Sequence, residues 1–224
     1  MGRAAQFWLS ERTVRLPSWR AVLVAALLFV LGCWIFLAKI HPFLAPTQPS
    51  GGDVLVLEGW VPDTGIEWVA KAFADGRYQR IYVSGVPILE GRNLTKFKTT
   101  DQIVADSLAA TGVDPAAIRP AIIDEEVFGN RTLRMAYRVR EVMGGEIPAR
   151  FDVITEGVHA NRSRLTYQKV IPEAEVGVVS IPACDYDPDR WWRTSEGVKR
   201  VLVEIISIVY QRVRGFDLPA DPLG

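Results

Sequence analysis

Val153-Ile154-Thr155-Glu156-Gly157-Val158-His159-Ala160-Asn161-Arg162-Ser163-Arg164-Leu165 reads as a buried strand, a turn at Gly157, and a helix start carrying His159, Arg162 and Arg164. His159 is the only histidine outside the first fifty residues. Where a strand hands over to a helix in a parallel sheet, loop amides and helix N-termini converge, and ligands bind there. The cluster therefore reads as an anion or substrate site. The competing reading is a solvated basic first turn.

The rest of the globular part repeats this unit. Asp53–Glu58 is an apolar run ending at Gly59, and Asp63 opens an amphipathic helix to about Gly76 as a candidate cap. Arg80–Gly85 is a second strand, and a helix from about Thr99 to Ala110 follows it. Pro120–Asp124 is a third strand, Asn130–Met143 a helix, and Phe151–Thr155 and Val176–Ile181 the last two strands. Alternating strands and helices imply right-handed crossovers. The expected fold is a Rossmann-like α/β three-layer sandwich with a mostly parallel five-stranded sheet in the order 3-2-1-4-5. A final helix, about Ser195 to Val213, is apolar on one face and is expected to pack on the sheet. Lys199, Arg200 and Glu204 interrupt it and argue against a second membrane span.

Ala21 to Ala38 holds eighteen residues without a charge, enough to cross the hydrocarbon core of a bilayer. Basic residues dominate its N-terminal flank, which predicts a cytoplasmic N-terminus and an extracytoplasmic domain. The expected division is a cytoplasmic segment 1–20, a transmembrane helix 21–38, a Pro/Gly linker 39–52, an α/β domain 53–213 and a tail 214–224. Pro42 is expected to end the helix, and the linker to free the domain from the bilayer surface. Cys33 follows Val-Leu-Gly as a lipoprotein cleavage site would, but the apolar run continues past it, so an uncleaved anchor is preferred.

Charge excludes one function class. The 26 basic and 26 acidic residues balance, and setting aside the five basic and one acidic of residues 1–40 leaves 21 and 25. A mildly acidic domain has no electrostatic footprint for nucleic acid. Cys33 and Cys184 offer no metal-ligand spacing, and neither a metal nor a cofactor is expected. The loop after strand one lacks GxGxxG and GxxxxGK[ST], and no GxSxG or HExxH occurs.

The topology should instead converge Glu58, Gly59 and Asp63, Ser84 and Gly85, Asn130 and Arg131, and Arg162, Ser163 and Arg164 as ligand-binding residues. His159 is the candidate acid/base, with Glu125 or Glu126 as the carboxylate that sets its tautomer. Either glutamate also reads as a solvated loop acid, and Asp63 as a helix cap. Trp191-Trp192 reads as core or interface packing, or as a stacking platform.

Leu55-Val56-Leu57-Glu58-Gly59-Trp60-Val61-Pro62-Asp63, Tyr82-Val83-Ser84-Gly85, Asn130-Arg131-Thr132 and Thr155–Arg164 together resemble the DUF218 family, the SanA/ElyC/YdcF type. Trp191–Gly197 resembles its membrane-anchored branch, and the likeness spans about residues 53 to 212. It implies a Rossmann-like fold and a role in bacterial cell-envelope integrity or cell-wall (peptidoglycan) precursor metabolism, at the plasma membrane. Leu133 and Asn161 depart from the pattern, where an aromatic and a basic residue are common. The expected activity is phosphoryl- or glycosyl-ester hydrolysis or transfer on an anionic, phosphorylated or lipid-linked envelope precursor. The alternative is a non-catalytic binding factor or sensor holding that anionic ligand in the same cleft. The expected partners are the lipid bilayer, through residues 21–38, and that ligand.

Overall fold

The computed structural model describes residues 16–123, 125 and 129–215. The chain divides into a first unit ending at Ala38 and a second beginning at Lys39. The first holds most of α1 (Trp19–Leu44), which contains an 18-residue stretch of mean hydropathy 2.8 and is long and apolar enough to cross a membrane.

The second unit is built on a five-stranded sheet, wholly parallel, in the predicted order 3-2-1-4-5. β1 (Val54–Glu58) is buried at all five positions, as a central strand covered on both faces must be. It is flanked by β2 (Arg80–Gly85) and β4 (Arg150–Glu156). β3 (Ile118–Ile122) and β5 (Glu175–Ile181) form the edges. β3 begins and ends two residues earlier than predicted and carries Pro120 inside it, which an edge strand tolerates because one side makes no ladder bonds.

Successive side chains of a strand point to opposite faces, and the core divides accordingly. Leu55, Leu57, Ile81 and Val83 pack with Ile66 and Val69 of α2 (Asp63–Ala74) and Val104 and Leu108 of α3 (Thr100–Ala110). Val54, Val56, Tyr82 and Val153 pack with Ala136 and Val139 of α4 (Arg131–Met143) and Tyr167 and Val170 of α5 (Ala160–Val170). α2 is not capped by Asp63. Pro62 takes the N-cap position, and Asp63 is an exposed first helical residue whose charge suits the helix dipole.

α6 (Ser195–Arg214) departs from the expected sheet packing. Its main contacts are with the Gly157–His159 turn and the Pro188–Arg193 turn, where Trp191 is buried and Trp192 half exposed. Only Gly197, Val201, Glu204 and Ile208 of α6 are buried, one per helical turn.

Residues 39–52, expected as a linker, belong to the second unit. α1 runs through Pro42 to Leu44, since a proline removes one helical hydrogen bond and tertiary packing offsets that loss here. Leu44 is fully buried, and His41 Nε2 meets the Tyr186 hydroxyl at 3.0 Å. Beyond it, Gln48 exchanges backbone hydrogen bonds with Val178 of β5, at 2.8 and 3.0 Å. Ser50 donates its amide and hydroxyl to Asp152, which also accepts from the Tyr78 hydroxyl. An open edge strand carries unpaired amides and carbonyls, and residues 47–50 cover those of β5.

Gly177 makes that cover possible, because a Cβ there would collide with the Ser50 amide and the Asp152 carboxylate. Gly177→Ala should cost about 1–3 kcal/mol in urea unfolding, the range for overpacking a close contact. It should also speed hydrogen exchange at Val178 and Ser180. Unchanged exchange would mean that the strap does not guard this edge.

Candidate functional site

The carboxyl ends of β1 and β4 lie side by side, and the loops that leave them face each other. Glu58 closes β1 with its side chain buried, and Ser163 of α5 donates to its Oε1 at 2.9 Å. Glu58 Oε2 lies 3.7 Å from His159 Nε2, and the Trp60 ring meets the His159 ring edge to face at 5.8 Å. Gly59, between them, packs its Cα against the Ser84 carbonyl and Thr100, where no Cβ would fit. The strand order thus brings the first loop against His159, as the sequence predicted.

Four polar groups meet around the imidazole. His159 Nδ1 is 2.9 Å from Glu204 Oε1, and Arg162 reaches the same carboxylate through Nε at 2.7 Å and Nη2 at 3.0 Å. Arg162 Nη2 is also 2.8 Å from Nδ1, where it could donate only to an unprotonated nitrogen, whereas the Glu204 carboxylate at 2.9 Å favours the tautomer with the proton on Nδ1. That tautomer leaves the Nε2 lone pair facing Thr132 Oγ1 at 3.3 Å, and Arg162 Nη1 donates to the same hydroxyl at 3.3 Å. Burial alone would push the Glu204 carboxyl up, but the hydrogen bonds and charges of Arg162 and His159 hold it at about 2. Behind Glu58, burial, then the Glu58 charge, push the Tyr167 phenol well up, keeping it neutral beside Ser84.

This cluster forms one wall of a cleft of about 780 Å³. Asn130, Arg131 and Thr132 line the facing rim, and Val203, Ile206 and Tyr210 of α6 give an apolar side. Asn130 adopts a left-handed conformation and its side chain makes no cap hydrogen bond, so among the described residues no side chain caps the first-turn amides of α4. A smaller cavity of about 360 Å³, lined by Val86–Glu90 and Thr100, shares Arg131 with the cleft.

The predicted residues divide. His159, Arg162, Asn130 and Arg131 line the cleft, and Glu58 and Ser163 support it from below. Arg164 does not join Arg162, because two residues along a helix turn a side chain by about 200°, and its Nε is buried outside the cleft. Ser84 is fully buried beside Tyr167, and Gly85 packs against Asp101. Glu125 is exposed and away from the cleft lining, while Glu126 lies outside the described residues. The carboxylate that holds His159 is therefore Glu204, which the sequence reading took only as an interruption of an apolar helix. Thr132 and Trp60 were also missed as site residues. Among the described residues no group of three or more His, Cys, Asp or Glu converges as a metal site.

Among known proteins, no family model and no curated sequence matches this chain.

The depressed Glu204 carboxyl makes a pH prediction. A group held at about 2 against an ordinary 4.5 contributes stability that is complete above 4.5 and lost as pH falls toward 2. At 1.36 kcal/mol per unit this is about 3 kcal/mol. Glu204→Gln should lower stability at pH 7 and flatten its decline between pH 5 and 2, measured by urea unfolding across that range. A variant with the parent's acid profile would show that Glu204 is not the group responsible.

Proposed function

We propose that the chain is a membrane-anchored, extracytoplasmic protein of the DUF218 type that acts on an anionic ester of a bacterial envelope precursor. The observation that carries the reading is His159, which lines a cleft at the carboxyl edge of the sheet and is held through Nδ1 by a buried carboxylate. An imidazole oriented by a carboxylate is suited to general acid/base work. The bare first turn of α4 and Arg131 favour a phosphate or carboxylate in the cleft. The apolar side formed by Val203, Ile206 and Tyr210 suits a lipid-linked substrate.

The anchor reading rests on the uncharged run 21–38 and its basic N-terminal flank, which orient the N-terminus to the cytoplasm and the domain outside the plasma membrane. Protease added to spheroplasts should then degrade the domain, and full protection would reverse the orientation.

A second reading, a non-catalytic binding factor, is favoured by the closed pairing of Arg162 with Glu204, which leaves that guanidinium occupied. Two substitutions separate the readings. For an enzyme, His159→Ala should lower the rate of ester hydrolysis about 10²–10⁴-fold with ligand affinity largely kept. Arg131→Ala should weaken binding by about 1.5–3 kcal/mol, as for a charge-assisted hydrogen bond. Parallel loss of affinity in both variants, with no turnover in the parent, would establish the binding factor instead.

A further inference from the structure

Acid/base work by His159 leaves two neighbouring groups without a task. Thr132, only 4% exposed, holds its hydroxyl 3.3 Å from His159 Nε2, on the cleft wall. Glu58 Oε2 is fully buried and has no hydrogen-bond partner among the described residues, yet it lies 3.7 Å from the same nitrogen. A buried carboxylate oxygen left unpaired is costly, and one kept in a native fold calls for a functional explanation.

We propose that Thr132 is the nucleophile of a phosphoester hydrolase or transferase, and that Glu58 stabilises the imidazolium formed when His159 takes its proton. This rests on the enzyme reading above. Hydroxyl, imidazole and carboxylate stand in series through Thr132, His159 and Glu204, the arrangement that activates a weak hydroxyl nucleophile. The distance from Thr132 to Nε2 is long for a proton transfer, as apo sites commonly are, and closes when substrate orders the cleft. Arg162 Nη1, which donates to Thr132 Oγ1, lowers the cost of the developing alkoxide. Once Nε2 is protonated, its N–H lies between Thr132 and Glu58 Oε2, and the orphaned oxygen gains a charged partner.

The chemistry balances without an oxidant or a metal ligand from the chain. Thr132 Oγ1 attacks phosphorus, the Oγ1–P bond forms, and the bond from phosphorus to the departing alcohol breaks. The threonine proton passes to His159 Nε2 and on to the alcohol oxygen. Water, or an acceptor alcohol, then attacks the phosphothreonine and gives its proton to Nε2. The Oγ1–P bond breaks and Thr132 recovers that proton. The phosphoryl oxygens face Arg131 and the uncapped first turn of α4. Thr132 sits in that same first turn, so nucleophile and anion-binding amides are placed together by one helix.

The full-length protein in detergent would be given bis(4-nitrophenyl) phosphate and quenched in acid for peptide mass mapping. The expected result is a burst of nitrophenolate and a nitrophenyl-phosphoryl adduct on Thr132. Thr132→Val, which keeps the side-chain shape, should abolish both and lower turnover about a thousandfold or more, while Thr132→Ser should keep a burst with the adduct at position 132. If the valine variant fails to fold, a chiral phosphorothioate diester turned over by the parent protein decides the matter. Two displacements give net retention at phosphorus, and inversion would overturn the role of Thr132. Turnover by Thr132→Val within a few-fold of the parent, with His159→Ala inactive, would also overturn it but leave the acid/base reading standing with water as nucleophile. A parent protein that hydrolyses neither probe would overturn both.

Discussion

Glu204 is a carboxylate placed on the buried face of the last helix, where every neighbouring buried position is apolar or glycine. Such a charge is tolerated only when donors surround it, because moving it from water otherwise costs several kcal/mol. Arg162 supplies two N–H groups and His159 one, all from the first turn of α5 and the turn before it. The pairing fixes the tautomer of His159 and holds α6 across the carboxyl edge of the sheet. The apolar side of the cleft exists because α6 lies there, so that side and the polar cluster depend on the same ion pair.

The same geometry explains why α6 leaves half its apolar surface in water. Leu202, Val203, Ile206, Val209, Tyr210 and Val213 are exposed, since a helix laid over two short turns buries a narrower stripe than one laid on a sheet. Three of these side chains border the cleft. The cleft therefore has an apolar side next to the polar cluster around His159.

Most of the fold was legible because its signals are local. Val54–Glu58 is apolar at four of its five positions, and only a strand covered on both faces reads that way. The strand order followed from asking which arrangement sets the Glu58 loop against His159. What escaped was tertiary. Pro42 reads as a helix stop, and only the burial of His41 and Leu44 overrides it. Glu204 reads as a charge that breaks an apolar run; its spacing from Val201 and Ile208, three and four residues, was the signal that it faces inward. Arg164 was placed beside Arg162 by sequence proximity, which helical periodicity contradicts. Thr132 was quoted within a motif, but nothing in one sequence says that its hydroxyl meets an imidazole twenty-seven residues away.

The strap at residues 47–50 carries a consequence for the life of the protein beyond its anchor. A fragment released by a cut after Pro49 would leave the β5 backbone uncovered at Val178 and strip the domain of Leu44. That fragment would carry an open, Val-rich parallel edge, the template on which copies of a chain add to one another as fibrils grow. A cut before His41 would shed a domain with its edge still sealed. The helix long and apolar enough to cross a membrane and the guard against self-assembly are thus one continuous piece of chain, and where proteolysis falls within it decides whether the released domain keeps its edge covered.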